Sequence, residues 1–256
     1  MYHRRTVEGR GLHGGQPARV TLSIAPGPVR LAGVSVAALE VLAGDRSTLV
    51  RAGARTLGTV EHLFAALGAA GIREGLAIDV EGPELPILDG GARAWCEALD
   101  GLAGFGAPRI LRAGTITVGQ SRYELEPGDT TRIEATIDFA DARLAPHARW
   151  DGDRADFTTR IAPARTFGFA HEVEALLARG LAQHVAPESV VVVAPDVIHA
   201  AGAPFTADEP ARHKLLDLVG DLYLHGGPFV GTLRAFKPGH AATHAAMREA
   251  RARGLF

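Results

Sequence analysis

Apolar and polar residues alternate over Ala18–Ile24, and a period of two predicts a β-strand with one buried face. Short apolar or β-branched runs predict further strands at Leu76–Val80, Ile110–Val118, Arg122–Glu126, Arg132–Phe139, Ser189–Val193 and Phe229–Phe236. The strands are spread over both halves of the chain, with helical patterns between them.

Five segments have the apolar spacing or the end signals of helices. Thr59 is the expected N-cap of a helix that runs through Leu67. Asp208 and Pro210 mark the start of the longest one. This long helix is predicted over Glu209–Leu224. The remaining predicted helices are Ala92–Leu102, Phe169–Arg179 and a last helix from about His240.

The segment Gly104–Pro108 (GFGAP) separates two halves, each of which combines strands with two or so helices. This organisation predicts an α+β protein with two similar layered domains, residues 1–107 and 108–256. Two such domains would pack face to face, and the cleft between them is the expected position of the active site.

Hydrophobic residues make up 46% of the chain and charged residues 22%, which is ordinary for a folded globular protein. The net charge of -2 argues against a general nucleic-acid binder. The single cysteine, Cys96, excludes an internal disulfide and a cysteine-based zinc site, so any metal must bind to histidines and carboxylates. With no secretory pattern and no bilayer-length apolar run, the predicted location is the cytoplasm.

His213 and Asp217 stand four residues apart in the longest predicted helix and therefore share one of its faces. Two ligands on one helical turn are half of a metal site. The same spacing also fits an ordinary hydrogen bond between a histidine and an aspartate, and spacing by itself leaves both interpretations open.

Glu61 and His62 stand in the first turn of another predicted helix. A zinc hydrolase needs a third ligand, which His62 could supply, and a base, which Glu61 could supply. The alternative is a glutamate favoured by the helix dipole beside a surface histidine. His240, at the start of the last helix, could act as an acid or help to cap that helix.

Seven segments, in this order along nearly the whole chain, resemble those of one family. They are Gly11–Gly15 (GLHGG), Thr59–Leu67 (TVEHLFAAL), Pro83–Ala92 (PELPILDGGA), Thr136–Phe139 (TIDF), Ala164–Phe169 (ARTFGF), Arg212–Leu224 (RHKLLDLVGDLYL) and Gly239–Ala241 (GHA). The family is UDP-3-O-acyl-N-acetylglucosamine deacetylase, the zinc enzyme of lipid A biosynthesis.

The resemblance implies that His62, His213 and Asp217 bind zinc, although such a set with an open position could also take Fe(II). It implies that Glu61 deprotonates the attacking water and that His240 protonates the leaving amine.

The resemblance also assigns roles to residues around the metal. Lys214 is implied to be a charged residue of the site, and Thr166 to stabilise the oxyanion. Phe139 is implied to lie near the uridine, with Phe167 in the same region. His13 matches a family histidine near the substrate. The alternative for Phe167 is an ordinary core position.

The implied reaction is hydrolysis of the N-acetyl group of UDP-3-O-acyl-N-acetylglucosamine, which yields acetate and the free amine. The implied partner is this acylated UDP-sugar, and we expect a monomer that touches a membrane surface peripherally and does not bind nucleic acid. Two alternatives keep the fold. One is a zinc deacetylase of a different N-acetylated sugar nucleotide, and the other is a non-catalytic binding protein.

Overall fold

The fold is built around two five-stranded sheets with the same strand pattern. The computed structural model describes residues 4–42, 44, 46–104, 106–180 and 182–256. In spatial order, the first sheet contains β1 (Arg4–Arg10), β2 (Pro17–Pro28), β8 (Glu74–Glu81), β3 (Arg30–Leu31) and β4 (Val34–Ser35). The second contains β9 (Gly114–Val118), β10 (Ser121–Glu126), β16 (Gly231–Phe236), β11 (Thr131–Thr136) and β12 (His147–Trp150).

The directions of the strands repeat as well as their order. The middle strand β8 runs antiparallel to β2 and parallel to β3. Its counterpart β16 runs antiparallel to β10 and parallel to β11. The same topology therefore occurs twice, and the prediction of an α+β protein with two similar layered halves is confirmed.

The helices follow the same repeat. Helix α1 (Glu61–Ala69) precedes the middle strand of the first sheet and α2 (Arg93–Ala98) follows it, as α5 (Glu209–Tyr223) and α6 (His240–Ala252) do in the second. The remaining helical segments are α3 (Arg154–Asp156), a π-helical turn at Phe157–Ile161, α4 (Ala170–Ala178) and 3-10 turns at Val36–Ala38 and Pro187–Ser189. Among the described residues, none of the helices has the length and apolar character needed to cross a membrane.

Each half also carries a small three-stranded insertion. In the first half it contains β5 (Glu40–Leu42), β6 (Leu49–Ala52) and β7 (Arg55–Leu57), between β4 and α1. In the second half it contains β13 (Thr166–Phe169), β14 (Val190–Val193) and β15 (Ile198–Ala200), between β12 and α5, together with α4. Both insertions contribute residues to the site described below.

The two halves meet where α1 packs on α5. Every residue of α1 is buried, as expected of a helix that is covered on all sides. A Cβ atom on Gly220 of α5 would lie 2.0 Å from the carbonyl oxygen of Glu61, so only glycine allows the two backbones to approach this closely. Among the described residues, two large hydrophobic clusters, one mainly in each half, both include residues of these helices, and a third, smaller cluster contains Leu144, Val191 and Val193.

Several predicted boundaries are wrong. Thr59 is not the N-cap of α1: Val60 occupies that position, and the Thr59 hydroxyl donates to Oε1 of Glu84 at 2.7 Å. Helix α2 ends at Ala98 instead of continuing to residue 102, and Gly101 then adopts the left-handed backbone (φ 81°) typical of a chain leaving a helix. Strands β9 and β16 start later than expected, at residues 114 and 231.

The predicted domain boundary between residues 107 and 108 lies in the connection from α2 to β9. Phe105, within that connection, lies outside the described residues. The boundary at this position stays a prediction.

Candidate metal centre and active site

Two facing helices bring together the three side chains predicted to bind a metal. His62 lies in the first turn of α1, and His213 and Asp217 lie one turn apart on α5. Nε2 of each histidine is 3.5 Å from Oδ1 of Asp217, and one ligand atom from each residue lies within 4.8 Å of the others. All three residues are buried. This cluster could bind one metal ion.

Backbone carbonyls fix the position of the hydrogen on both imidazole rings. Nδ1 of His62 lies 3.0 Å from the carbonyl oxygen of Gly91, and Nδ1 of His213 lies 3.0 Å from that of Ala164. Because a carbonyl oxygen can only accept, each Nδ1 must carry the hydrogen. In the neutral form of each ring Nε2 is then left with its lone pair, as metal binding requires. Burial also lowers the pKa of His213 to about 4, which keeps this ring neutral at pH 7. The donor set therefore fits a metal ion.

Lys214 holds the second oxygen of Asp217. Its Nζ donates to Oδ2 at 2.8 Å. Burial opposes the ammonium charge, but the attraction of Asp217 outweighs burial and raises the pKa of Lys214. Burial likewise opposes the charge of Asp217, yet Lys214 and the facing histidines hold the pKa of Asp217 well below its usual range. The carboxylate is therefore ionised and available as a ligand.

Glu61 lies beside the metal ligands at the start of α1. Its side chain is buried, and the backbone N–H of Thr48 donates to Oε2 at 3.1 Å. Burial raises the pKa of the Glu61 carboxyl, although the positive charge of His240, and that of His62 whenever this ring is protonated, oppose the shift. A carboxyl whose pKa is moved toward neutrality has the property required of a general base.

His240, the first residue of α6, faces Glu61 across the site. Its Nδ1 lies 2.9 Å from Oδ2 of Asp221, and its Nε2 lies 3.9 Å from Oε1 of Glu61 and 3.8 Å from Oδ2 of Asp217. Burial opposes a charge on His240, but Asp221 and the other carboxylates raise its pKa to about 9. His240 is therefore protonated at pH 7 and can donate from Nε2 into the site.

Asp221 and Thr48 belong to this site but are absent from the set predicted from the sequence. A signal for Asp221 was present, because His213, Asp217 and Asp221 recur every four residues on one face of α5. No spacing rule identifies Thr48, which precedes β6 and lies 173 residues from Asp221 in the sequence.

Glu61, His62 and His240 open into a catalytic cavity of about 560 Å³. Phe139, Thr166, Phe167 and Lys214 also line it. Thr166 is in strand β13, which is not among the strands predicted from the sequence. Apart from His13, the structure thus places all the residues predicted for the site around one cavity.

A second, apolar cavity of about 430 Å³ adjoins the first. Val173, Leu176 and Val192 are among its lining residues, and His13 lies on its wall rather than on that of the catalytic cavity. The two cavities share the lining residues Leu12, Arg46, Thr166, Phe167 and Glu172. The two cavities are therefore direct neighbours.

Three phenylalanine rings form part of the wall of the catalytic cavity. The Phe139 ring centroid lies 5.6 Å from that of Phe167 and 5.1 Å from that of Phe169. The rings of Phe167 and His213 are also perpendicular to each other, with centroids 6.1 Å apart. Phe139 remains 39% exposed, so its ring can contact a bound molecule. Phe167 is half-buried and faces the cavity, so it is not an ordinary core residue.

Two imidazoles and a carboxylate around one centre, with a buried base and a protonated histidine beside them, are typical of a metal-dependent hydrolase. Residues 2–251 match the family model of UDP-3-O-acyl N-acetylglycosamine deacetylase, and the chain belongs to this family. The resemblance inferred from the seven sequence segments is thereby confirmed.

Relatives with the same description cover nearly the whole chain. A UDP-3-O-acyl-N-acetylglucosamine deacetylase of Myxococcus xanthus is 38% identical over 97% of this chain and 86% of its own length. Its counterpart in Brucella melitensis is 36% identical over 95% of this chain and 91% of its own length. This coverage includes both halves of the fold and every residue of the metal cluster.

Proposed function

We propose that this protein hydrolyses the N-acetyl group of UDP-3-O-acyl-N-acetylglucosamine, a step of lipid A biosynthesis, and releases acetate and the free amine. The observation that carries the proposal is the pairing of Glu61 and His240, whose Oε1 and Nε2 lie 3.9 Å apart beside three buried metal ligands. A base and an acid on opposite sides of one reacting carbon are what amide hydrolysis requires.

Zinc is the proposed metal, held by His62, His213 and Asp217, with Fe(II) as the alternative for the same donors. When bound, the ion lowers the pKa of a water molecule and polarises the amide carbonyl. Three protein ligands leave a position open for that chemistry.

Glu61 accepts a proton from the water molecule that attacks the amide carbon. The carbonyl oxygen gains negative charge as the new C–O bond forms, and the Thr166 hydroxyl and the Lys214 ammonium stabilise this charge. His240 then donates its Nε2 proton to the nitrogen as the C–N bond breaks. The proton taken by Glu61 balances the one that His240 gives, so the products are the amine and acetic acid, which loses its proton to the solvent and leaves as acetate.

The adjoining apolar cavity accommodates the acyl group, because its lining offers methyl and methylene surface to a hydrocarbon chain. His13 contacts the substrate from the wall of that cavity. Phe139 and Phe167 contact the uridine end, and the cations of the catalytic cavity, Lys214 among them, face the diphosphate.

Acetate release from UDP-3-O-acyl-N-acetylglucosamine and from UDP-N-acetylglucosamine, measured side by side with zinc-loaded protein, tests this function. We expect turnover of the acylated substrate to exceed that of the unacylated one by more than tenfold in kcat/KM. Zinc-loaded protein that releases no acetate from the acylated substrate would contradict the proposal. Equal turnover of both would point to a different N-acetylated sugar nucleotide.

We further propose that the protein acts as a monomer in the cytoplasm and does not bind nucleic acid. A single chain supplies all the side chains that the mechanism uses. Leu177, which lines the apolar cavity and is 44% exposed, could contact a membrane surface while an acylated molecule enters. Light scattering of the purified protein, with and without lipid vesicles, tests the monomeric state and the membrane contact.

A further inference from the structure

A buried chain of hydrogen bonds extends from Asp221 away from the catalytic cavity. The hydroxyl of Thr48 lies 2.5 Å from Oδ1 of Asp221 and 3.0 Å from Nε2 of His244. Nδ1 of His244 lies 3.0 Å from Nε2 of His225. Thr48, His244 and His225 are all buried, and none of them lines the catalytic cavity.

The chemistry of the groups fixes the direction of each bond. Asp221 is ionised, since its partners hold the pKa of its carboxyl well below the usual range in spite of burial. A carboxylate only accepts, so the Thr48 hydroxyl must donate its single proton to Asp221. Nε2 of His244 must then donate to the Thr48 oxygen.

The last bond of the chain follows from the same reasoning. With its hydrogen on Nε2, a neutral His244 ring offers the lone pair of Nδ1 as an acceptor. In this form of His244, Nε2 of His225 carries a hydrogen and donates to Nδ1 of His244. Burial lowers the pKa of His225 to about 3, so this ring is neutral and carries a single N–H hydrogen. Each of the three residues therefore donates its hydrogen bond to the next group on the way to Asp221.

Thr48 also forms a hydrogen bond to Glu61, the base of the proposed reaction. Its backbone N–H donates to Oε2 of Glu61, while its side chain donates to Asp221, which in turn accepts from Nδ1 of His240. Oγ1 of Thr48 also lies 3.3 Å from Nδ1 of His240, so one residue contacts the base through its backbone, and the acid both directly and through the shared Asp221 carboxylate.

We propose that Thr48, supported by His244 and His225, is a positioning residue that keeps Glu61 and His240 at their working separation. This inference rests on the proposed hydrolase function. The chain orients the Asp221 carboxylate, and Asp221 in turn directs Nε2 of His240 toward the reacting centre. None of the three residues contacts the substrate, so their effect is on the rate of the chemical step.

Two pairs of variants test the proposal. Thr48→Val keeps the backbone bond to Glu61 and removes the hydroxyl, whereas Thr48→Ser keeps both. His244→Leu removes the donor, whereas His244→Gln retains one. We expect kcat to fall by about 10- to 100-fold in the Val and Leu variants, as is typical when outer partners of a site are lost. KM should stay within about twofold, and the Ser and Gln variants should recover most of the rate.

Thr243→Val is the matched control. Thr243 is also a fully buried threonine, but its hydroxyl bonds to Tyr123 rather than to the chain. This control should lose stability without losing kcat. A Thr48→Val variant that contains zinc and has the same kcat as Thr243→Val would overturn the proposal.

Nitrogen-15 NMR of the imidazole rings gives a readout that does not depend on activity. In the zinc-loaded parent we expect His225 and His244 both to carry their hydrogen on Nε2, and Thr48→Val to change the spectrum of His244. A parent protein with the hydrogen of His244 on Nδ1 would refute the chain. If the parent released no acetate, the proposed function would fail while the NMR result would still decide whether the chain exists.

Discussion

The backbone of Gly220 lies directly against the carbonyl oxygen of Glu61, close enough that a methyl group on Gly220 would sit 2.0 Å from that oxygen. This contact joins α5 to the first turn of α1. It brings His62, the neighbour of Glu61, to within 3.5 Å of Asp217, which lies one turn before Gly220. The distance between the two helices therefore determines whether the metal ligands can meet.

Gly220→Ala should separate the two helices and weaken metal binding. Overpacking of this kind typically costs about 1–3 kcal/mol of the free energy of unfolding. Denaturant unfolding and zinc titration measure the two effects. Gly128→Ala is the control, since a Cβ atom there would approach other atoms no closer than 3.4 Å. Equal stability and zinc affinity in both variants would show that the close contact is unimportant.

Glu61→Gln should keep the metal and lose most of the activity. The amide can still accept the Thr48 N–H but cannot take a proton from water, and a general base typically contributes about 10²–10⁴-fold to the rate. Metal analysis and steady-state kinetics of the same preparation separate the two properties. Full activity in this variant would show that another group is the base.

Asp217→Ala should lose the metal. It removes the one ligand that faces both histidines and leaves the Lys214 ammonium without its carboxylate. We expect affinity for zinc to fall by more than tenfold, since the loss of an outer partner alone costs about 10- to 100-fold. Dialysis followed by metal analysis measures this, with the exposed Asp129→Ala as control. Stoichiometric zinc in Asp217→Ala would exclude Asp217 as a ligand.

Val192→Phe should discriminate between acyl groups of different length. The larger ring would occupy part of the apolar cavity that Val192 lines. Each methylene excluded from the cavity loses about 0.8 kcal/mol, so exclusion of two or more would raise KM for a long-chain substrate by about tenfold or more. A short-chain substrate is the internal control. An equal change in KM for both substrates would place the acyl chain elsewhere.

His225 should make the protein less stable as the pH falls below about 6.5, the ordinary pKa of an unfolded histidine. The unfolded chain then binds a proton that the folded chain binds only near pH 3, because burial lowers the pKa of His225 to about 3. The free energy of unfolding therefore decreases by up to about 1.4 kcal/mol per pH unit in this window.

Denaturant unfolding between pH 7 and pH 5 measures this dependence. His225→Leu should be less stable than the parent at pH 7, because a hydrogen bond is lost, but should show a smaller slope with pH. His147→Leu, at an exposed histidine, is the matched control. A slope in His225→Leu equal to that of the parent would show that His225 does not titrate on unfolding.

The sequence by itself determined the local features of the site. The four-residue spacing of His213 and Asp217 placed both on one face of α5, and Lys214 followed from the same helix. The ordered segments identified the family and added His62, Glu61 and His240. Such features are readable because helical periodicity and short motifs depend only on neighbouring residues.

Only the tertiary structure decided how these pieces meet. It set His62 opposite Asp217, and it assigned the hydrogen of each metal-facing histidine through the carbonyls of Gly91 and Ala164. It also brought Thr48 into contact with Asp221, 173 residues away in the sequence. It also showed that one strand topology occurs twice, which no sequence repeat indicated. The reason is physical: these relationships depend on the packing of α1 against α5 and of two sheets around them, and no spacing rule reaches across more than a hundred residues.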